Sequence, residues 1–297
     1  YFFSRTISDP LKRLVVATQR IRAGHYDTHV ENASRDEVGE LTHAFNEMTD
    51  GLREREHLKG AFGKFVNEEV AKMVMKGDLA LGGESKVATV FFSDIRSFTS
   101  ISEKMTPAEV VAFLNEYMTL MVEIVHKYGG VVDKFIGDAI MAIWGAPVSK
   151  PNDVENAVNA ALEMRAVLHK FNQDRGSRTK PIIRIGMGLN TGEVLAGQIG
   201  SNDRLEYTVI GDTVNLASRM EGLNKTFGTD ILITQNTYEL VKKKFICQPL
   251  HKVQVKGKAE AQRVYAVMGK TGDSKAPKSL AELHKYTGLY PQKKKGK

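Results

Sequence analysis

The sequence predicts an α+β protein, a helical module followed by a β-α-β-β-α-β domain. Three observations predict it. Two narrow apolar seams at helical spacing fill residues 8–57. From residue 86 onward, apolar β-forming runs alternate with long amphipathic segments. Between these regions the pattern is broken by Gly77, Gly82 and Gly83. The 297 residues leave room for about two domains, and 42% hydrophobic with 26% charged residues fits a globular chain with a core.

The first helix opens at Asp9-Pro10, because proline in a first turn sacrifices no hydrogen bond. Leu11, Leu14, Thr18 and Ile21 then recur at 3-4-3 spacing, and Gly24 stops the run. Tyr26 to Arg35 reads as polar and irregular. A second seam follows at Val38, Leu41, Phe45, Met48 and Leu52. Short helices with such narrow seams are marginal alone. They are expected to associate as a parallel dimeric four-helix coiled coil. Phe62, Phe65, Val66, Val70, Met73 and Val74 keep helical spacing, which predicts a short coupling helix and then a loop within residues 58–85.

Val87 to Phe92 is a continuous apolar run of β-formers, the mark of a buried strand. Thr106 as N-cap, Pro107 behind it and Glu109 open a helix that carries Val110, Phe113, Leu114, Tyr117, Leu120, Met121, Ile124 and Val125 to Gly129-Gly130. Val131–Ile136 and Ala139–Trp144 read as a hairpin turning at Gly137-Asp138. A second long helix is predicted over about 152–173 and a strand over Ile182–Leu189. This succession is the ferredoxin-like order. Further elements run to Val267, and residues 269–297 read as a basic mobile tail.

Several chemistries are argued against. The net charge is +7, but no basic stripe with interleaved aromatics appears, so no nucleic-acid partner is expected. The single cysteine, Cys247, permits no intrachain disulfide and fits a reducing compartment, with its side chain expected as a small half-buried hydrophobe. Gly269-Lys270-Thr271 lacks the first glycine of a P-loop, since position 264 is Val264. Gly186-Met187-Gly188 lacks the third glycine of a dinucleotide fingerprint. No run of about 18 apolar residues is present. Tyr1-Phe2-Phe3 is nevertheless read as the end of a missing transmembrane helix.

Two carboxylates then stand out. Asp94 ends an apolar strand and Asp138 sits at the hairpin tip. If strand and hairpin share a sheet, both meet at one edge, where two aspartates repel unless a cation lies between them. Hard oxygen ligands in small number suit Mg²⁺. Two such ions can clamp an in-line phosphoryl displacement. Backbone N–H groups after Asp94 are expected to be available to phosphates. Taken singly, Asp94 reads equally well as a helix cap and Asp138 as a turn residue.

Four segments taken together closely resemble class III nucleotidyl cyclases: Phe91 to Thr99, Lys134 to Asp138, Tyr207 to Arg219 and Val255 to Lys258. The resemblance spans residues 86–268 and implies a cyclase fold with extra carboxy-terminal strands. It implies that Asp94, Asp138 and the Ile95 carbonyl hold two Mg²⁺ (or Mn²⁺) ions. It makes Lys134 and Thr208 the readers of the base, Asn215 the ribose contact and Arg219 the stabiliser of the transition state. Arg184 and Lys256 match phosphate contacts, with Lys258 an equally placed neighbour of Lys256. Lysine donates to adenine N1 and threonine accepts from the adenine amino group, whereas guanylate cyclases usually carry Glu and Cys at these positions. ATP is thus the implied substrate, with 3′,5′-cyclic AMP and pyrophosphate as products. Threonine replaces the commoner aspartate at 208, as in a bacterial subclass. Family members divide the site between subunits, which implies a homodimer with shared active sites.

Pro10 and Asp36-Glu37-Val38-Gly39-Glu40-Leu41 resemble a HAMP signalling domain over residues 1–57. That resemblance implies regulation of the cyclase and, in the full-length protein, a place on the cytoplasmic face of a membrane behind a transmembrane segment. The alternative is an inactive cyclase-fold module that senses nucleotide or dimerises. A diguanylate cyclase is argued against by the lack of a Gly-Gly-Asp-Glu-Phe-like turn.

Overall fold

The computed structural model describes residues 7–31, 36–65, 70, 83–177, 180–201, 205–254 and 261–291. The chain divides into two units, residues 1–75 and 76–297.

In the first unit, α1 (Asp9–Arg22) begins with proline in its first turn and ends before Gly24, which takes the left-handed conformation at φ 90°. Helix α2 (Glu37–Phe65) is capped by Asp36, whose carboxylate accepts from the N–H groups of Val38 and Gly39 at 3.0 and 3.2 Å. Leu14, Ala17, Val30 and Phe45 form a small core. The connector is better anchored than its polarity suggested. Asn46 Oδ1 accepts from Val30 N–H at 3.0 Å, and Asn46 Nδ2 donates to the Val30 carbonyl at 2.8 Å.

The predicted seam of α2 is only partly the intrachain contact. Phe45 is buried, but Leu41 and Met48 are 52% and 51% exposed, and the inward face is completed by Thr42, Asn46 and Thr49. Helix α2 also runs unbroken past residue 57, so the second seam and the start of the predicted coupling helix form one element. Val70 is buried, while Val66, Met73, Val74, Gly77 and Gly82 lie outside the described residues.

The second unit is built on β1 (Glu84–Ile95), α3 (Phe98–Ser102), α4 (Pro107–Lys127), β2 (Val131–Ile136), β3 (Ala139–Trp144), α5 (Asp153–Phe171) and β4 (Ile185–Gly200). It continues through β5 (Leu205–Ile210), α6 (Asp212–Phe227), β6 (Ile231–Thr234), α7 (Gln235–Val241), β7 (Phe245–Pro249), β8 (Val264–Lys270) and α8 (Leu280–Thr287). The sheet order is β2-β3-β1-β4-β6-β8-β7, with β5 paired to β4. Its first four members give the ferredoxin-like arrangement. Strand β1 reads as one apolar run because both its faces are covered. Phe91 packs with Tyr117, Trp144 and Met164 on one side, and Val90 and Phe92 pack with Met141, Val194 and Ala217 on the other.

Local chemistry fixes the ends of the elements. Thr106 and Glu109 form a reciprocal capping box at the start of α4. Gly137 takes φ 64° in the hairpin turn, which glycine adopts without steric cost. Behind the sheet, Arg165 is locked to Asp230 through two hydrogen bonds of 2.5 and 2.7 Å and donates to the Val267 and Met268 carbonyls. Removing one member of such a buried pair costs about 3–5 kcal/mol. Cys247 is partly buried, and burial pushes its thiol up to about 12, in keeping with a packing role.

Two expectations need correction. The strand expected to end at Leu189 instead runs to Gly200, and its later part pairs with both β1 and β5. Gly192 and Gly197 interrupt the apolar alternation there. The region expected to be a mobile tail contains α8, capped by Ser279 accepting from Glu282 N–H and anchored by the fully buried Leu283. A single buried leucine among lysines is a weak signal in composition. Yet Leu283 packs with Leu216, Met220 and Leu232, and His284 Nε2 meets the Phe227 carbonyl at 3.1 Å.

Candidate active site

The sheet order brings the two aspartates together. Asp94 is the penultimate residue of β1, and Asp138 follows Gly137 in the turn between β2 and β3, the neighbour of β1. Asp138 Oδ2 accepts from Ile95 N–H at 3.1 Å. Burial first, and then the charge of Asp94 beside it, push Asp138 up to about 6, while the Ile95 N–H pulls the other way. The two carboxyl groups are within hydrogen-bonding reach of each other. Lys225 Nζ approaches Asp94 Oδ2 only to 3.9 Å.

This donor set fits a hard divalent cation. Two carboxylates converge with little positive charge between them. Among the described residues no group of three or more His, Cys, Asp or Glu side chains forms a cage. Mg²⁺ commonly binds through one or two carboxylates and borrows its remaining ligands from water and phosphate. Tyr117 is fully buried and feels the charge of both aspartates. Burial raises its hydroxyl pKa, the Ser93 hydroxyl opposes that rise, and the charges of Asp138 and Asp94 add to it. A serine and a tyrosine inside otherwise apolar runs are the signal that the sequence offers for this pair.

An ion pair flanks the aspartates. Arg96 Nη1 lies 2.9 Å from Glu221 Oε1, and both side chains are nearly buried. The guanidinium passes where Gly186 has no side chain: a Cβ there would sit 1.5 Å from Arg96 Nη2. Burial pushes Glu221 up to about 7, with Arg96 opposing and Asp94 adding to the rise. The first two amides after Asp94 are not free for phosphate, contrary to expectation. Ile95 N–H is held by Asp138, and Arg96 N–H donates to the Arg184 carbonyl at 2.7 Å. Positive charge comes from side chains instead. Arg184, Arg96 and Lys225 line a cavity of about 350 Å³ that also includes Ser97 and Tyr290.

Lys134 and Thr208 form a second cluster. Thr208 Oγ1 donates to Asp133 Oδ2 at 2.9 Å, and Lys134 Nζ reaches Glu206 Oε2 at 3.1 Å and Asp133 Oδ2 at 3.6 Å. Burial pushes Asp133 up, and Thr208 and then Lys134 oppose the rise. Asn215 and Arg219 lie four apart on α6, on one face of the helix. Asn215 is exposed, and Arg219 Nη1 is buried with no hydrogen-bond partner among the described residues. Lys256 and Lys258 lie outside the described residues.

Residues 83–269 match the Adenylate and Guanylate cyclase catalytic domain, and residues 2–54 match the HAMP domain. The chain is 36% identical over 283 residues to an adenylate cyclase of Anabaena cylindrica, a match covering 90% of this chain and 55% of that protein. Among solved structures it resembles the adenylyl cyclase CyaB from P. aeruginosa, with a TM-score of 0.58 and 36% identity, over 63% of this chain and 96% of that one. It equally resembles the guanylyl cyclase Cya2, with a TM-score of 0.60 and 36% identity, over 66% of this chain and 98% of that one. The chain thus spans about half the length of the curated Anabaena protein. With the catalytic-domain match covering well over half of its residues, the chain belongs to the adenylate and guanylate cyclase family.

Proposed function

We propose that the chain is an adenylate cyclase that converts ATP to 3′,5′-cyclic AMP and pyrophosphate as a homodimer with shared sites. The observation that carries the reading is the convergence of Asp94 and Asp138, with Asp138 pushed up to about 6. Two Mg²⁺ or Mn²⁺ ions held by Asp94, Asp138 and the Ile95 carbonyl would supply charge neutralisation at the α-phosphate and a lowered pKa for the ribose 3′-hydroxyl. The protein's own contribution is positioning and charge. Arg184, with Lys256, binds the β- and γ-phosphates. Asn215 orients the ribose so that its 3′-oxygen faces the α-phosphorus in line with the departing pyrophosphate. Arg219 supplies a guanidinium to meet the charge that grows on the α-phosphate, where a preorganised donor is most effective.

Lys134 donates to adenine N1 and Thr208 accepts from the 6-amino group. Structural neighbours named for either nucleotide are similar to this chain, so the choice of ATP is argued from these two side chains. The resemblance to a family whose members divide the site between subunits supports a site completed by a second copy. The HAMP match supports regulation through the amino-terminal unit, with the full-length protein tethered at the cytoplasmic face of a membrane. No helix among the described residues is long and apolar enough to cross one.

Mn²⁺ binding, followed by electron paramagnetic resonance in the presence of an uncleavable ATP analogue, tests the carboxylate site apart from turnover. Asp138→Asn is expected to weaken Mn²⁺ binding at least ~10-fold while leaving the fold intact. Unchanged binding in both Asp138→Asn and Asp94→Asn would contradict the assignment.

A further inference from the structure

The side chain of Asp133 is only 2% exposed. Its Oδ2 accepts from the Thr208 hydroxyl at 2.9 Å and lies 3.6 Å from Lys134 Nζ. Consecutive residues of a regular strand face opposite ways. Between Val132 and Lys134 the β2–β3 register slips, so that Asp133 is an extra residue in β2. Such bulges re-aim side chains. Here the bulge lets the neighbours Asp133 and Lys134 both meet β5, the first at Thr208 and the second at Glu206. Thr208 and Glu206 are two apart and therefore share a face of that strand.

A hydroxyl carries one proton and two lone pairs, and when free it rotates to suit either kind of partner. An ionised carboxylate only accepts. Bound to Asp133, the Thr208 proton is committed, and only lone pairs remain for anything approaching from the other side. A 6-amino purine offers an N–H to those lone pairs. A 6-oxo purine sets its own lone pair against them. Burying a carboxylate for this purpose is costly: burial pushes Asp133 up, and Thr208 first, then Lys134, offset that rise.

We propose that Asp133 is a specificity-determining positioning residue, which holds the Thr208 hydroxyl as an obligate acceptor and so selects a purine nucleotide with an amino group at C6 over one with a carbonyl. This rests on the proposal that Lys134 and Thr208 read the base. The test measures kcat/KM for Mg-ATP and Mg-GTP in the parent, Asp133→Asn, Thr208→Ala and the double variant. The asparagine amide can present either its oxygen or its NH₂ to Thr208, so the hydroxyl regains both orientations.

Asp133→Asn is expected to lower the ATP:GTP ratio about tenfold, the effect of one well-made hydrogen bond. In the Thr208→Ala background the same exchange is expected to leave the ratio within about twofold, because the two residues act as one unit. Asp133→Ser, smaller and with a freely turning hydroxyl, provides a second variant with the same expected loss. Equal losses for both nucleotides, repeated in the Thr208→Ala background, would mark Asp133 as purely structural and overturn the proposal. A ratio unmoved by Thr208→Ala itself would overturn the base-reading assignment as well, so the two failures are distinguishable.

Discussion

Mixing two inactive variants, Asp94→Ala and Arg219→Ala, is expected to restore cyclic AMP synthesis. Alone, each removes an indispensable part from both sites of its dimer: a carboxylate at the cation position, or the guanidinium that meets charge on the α-phosphate. Loss of one preorganised charged partner lowers turnover by about 10²–10³-fold, so each single variant is expected at least ~100-fold below the parent. In a two-fold dimer with shared sites, a heterodimer carries both lesions in one site and neither in the other. Random mixing of equal amounts makes half the dimers heterodimers, each with one intact site of two, which gives about a quarter of parental turnover. A site complete within one chain would gain nothing from mixing. Absence of recovery in a mixture where heterodimers are shown to form would therefore rule out the shared site.

The second large effect is a change of substrate. Lys134→Glu with Thr208→Cys reverses the hydrogen-bonding sense of the base pocket: glutamate accepts from the guanine N1–H that lysine would oppose. Each mismatched polar group left buried costs about 1–3 kcal/mol. Two reversed contacts are therefore expected to shift the ATP:GTP ratio of kcat/KM by roughly 100-fold or more toward GTP. The structure adds a condition. Lys134 is the cation facing Glu206 and Asp133, so a glutamate at 134 would leave three carboxylates together. Adding Glu206→Gln relieves that repulsion, and the triple variant is expected to show the larger shift. A ratio unchanged in folded double and triple variants would contradict the assignment of Lys134 and Thr208.

Much of this site was legible in the sequence because its central pieces are local. Asp94 follows an apolar strand, Asp138 sits in a two-residue turn, and the strand–hairpin order alone places both at one sheet edge. The parts that escaped are those made by distant partners. Arg96 reaches α6 to donate to the Glu221 carbonyl, 125 residues away, and Thr208 meets Asp133 across 75 residues. No period or spacing announces such contacts. A polar residue in an apolar strand gives only a hint, as with Ser93. The bulge at Asp133 is invisible for the same reason, because the residue count is fixed by the partner strand. Helix α8 escaped for the opposite reason: its cap and its single buried leucine are local, but the surrounding lysines dominate the composition.

The HAMP-like unit shows a further limit. Its seam periodicity marked α1 and α2, yet Leu41 and Met48 face outward in one chain while Asn46 ties down the connector. Helical spacing identifies a face that seeks cover without saying whether the same chain or a second copy provides it.

The central claim is tested most directly by the nucleotide produced when the purified chain is given Mg-ATP or Mg-GTP, with Asp138→Asn alongside. The account predicts cyclic AMP and pyrophosphate in equal amounts from ATP, at least ~10-fold less cyclic GMP from GTP, and neither from the Asp138→Asn protein. Undiminished cyclic AMP from a folded Asp138→Asn chain, or cyclic GMP as the main product of the parent, would contradict it.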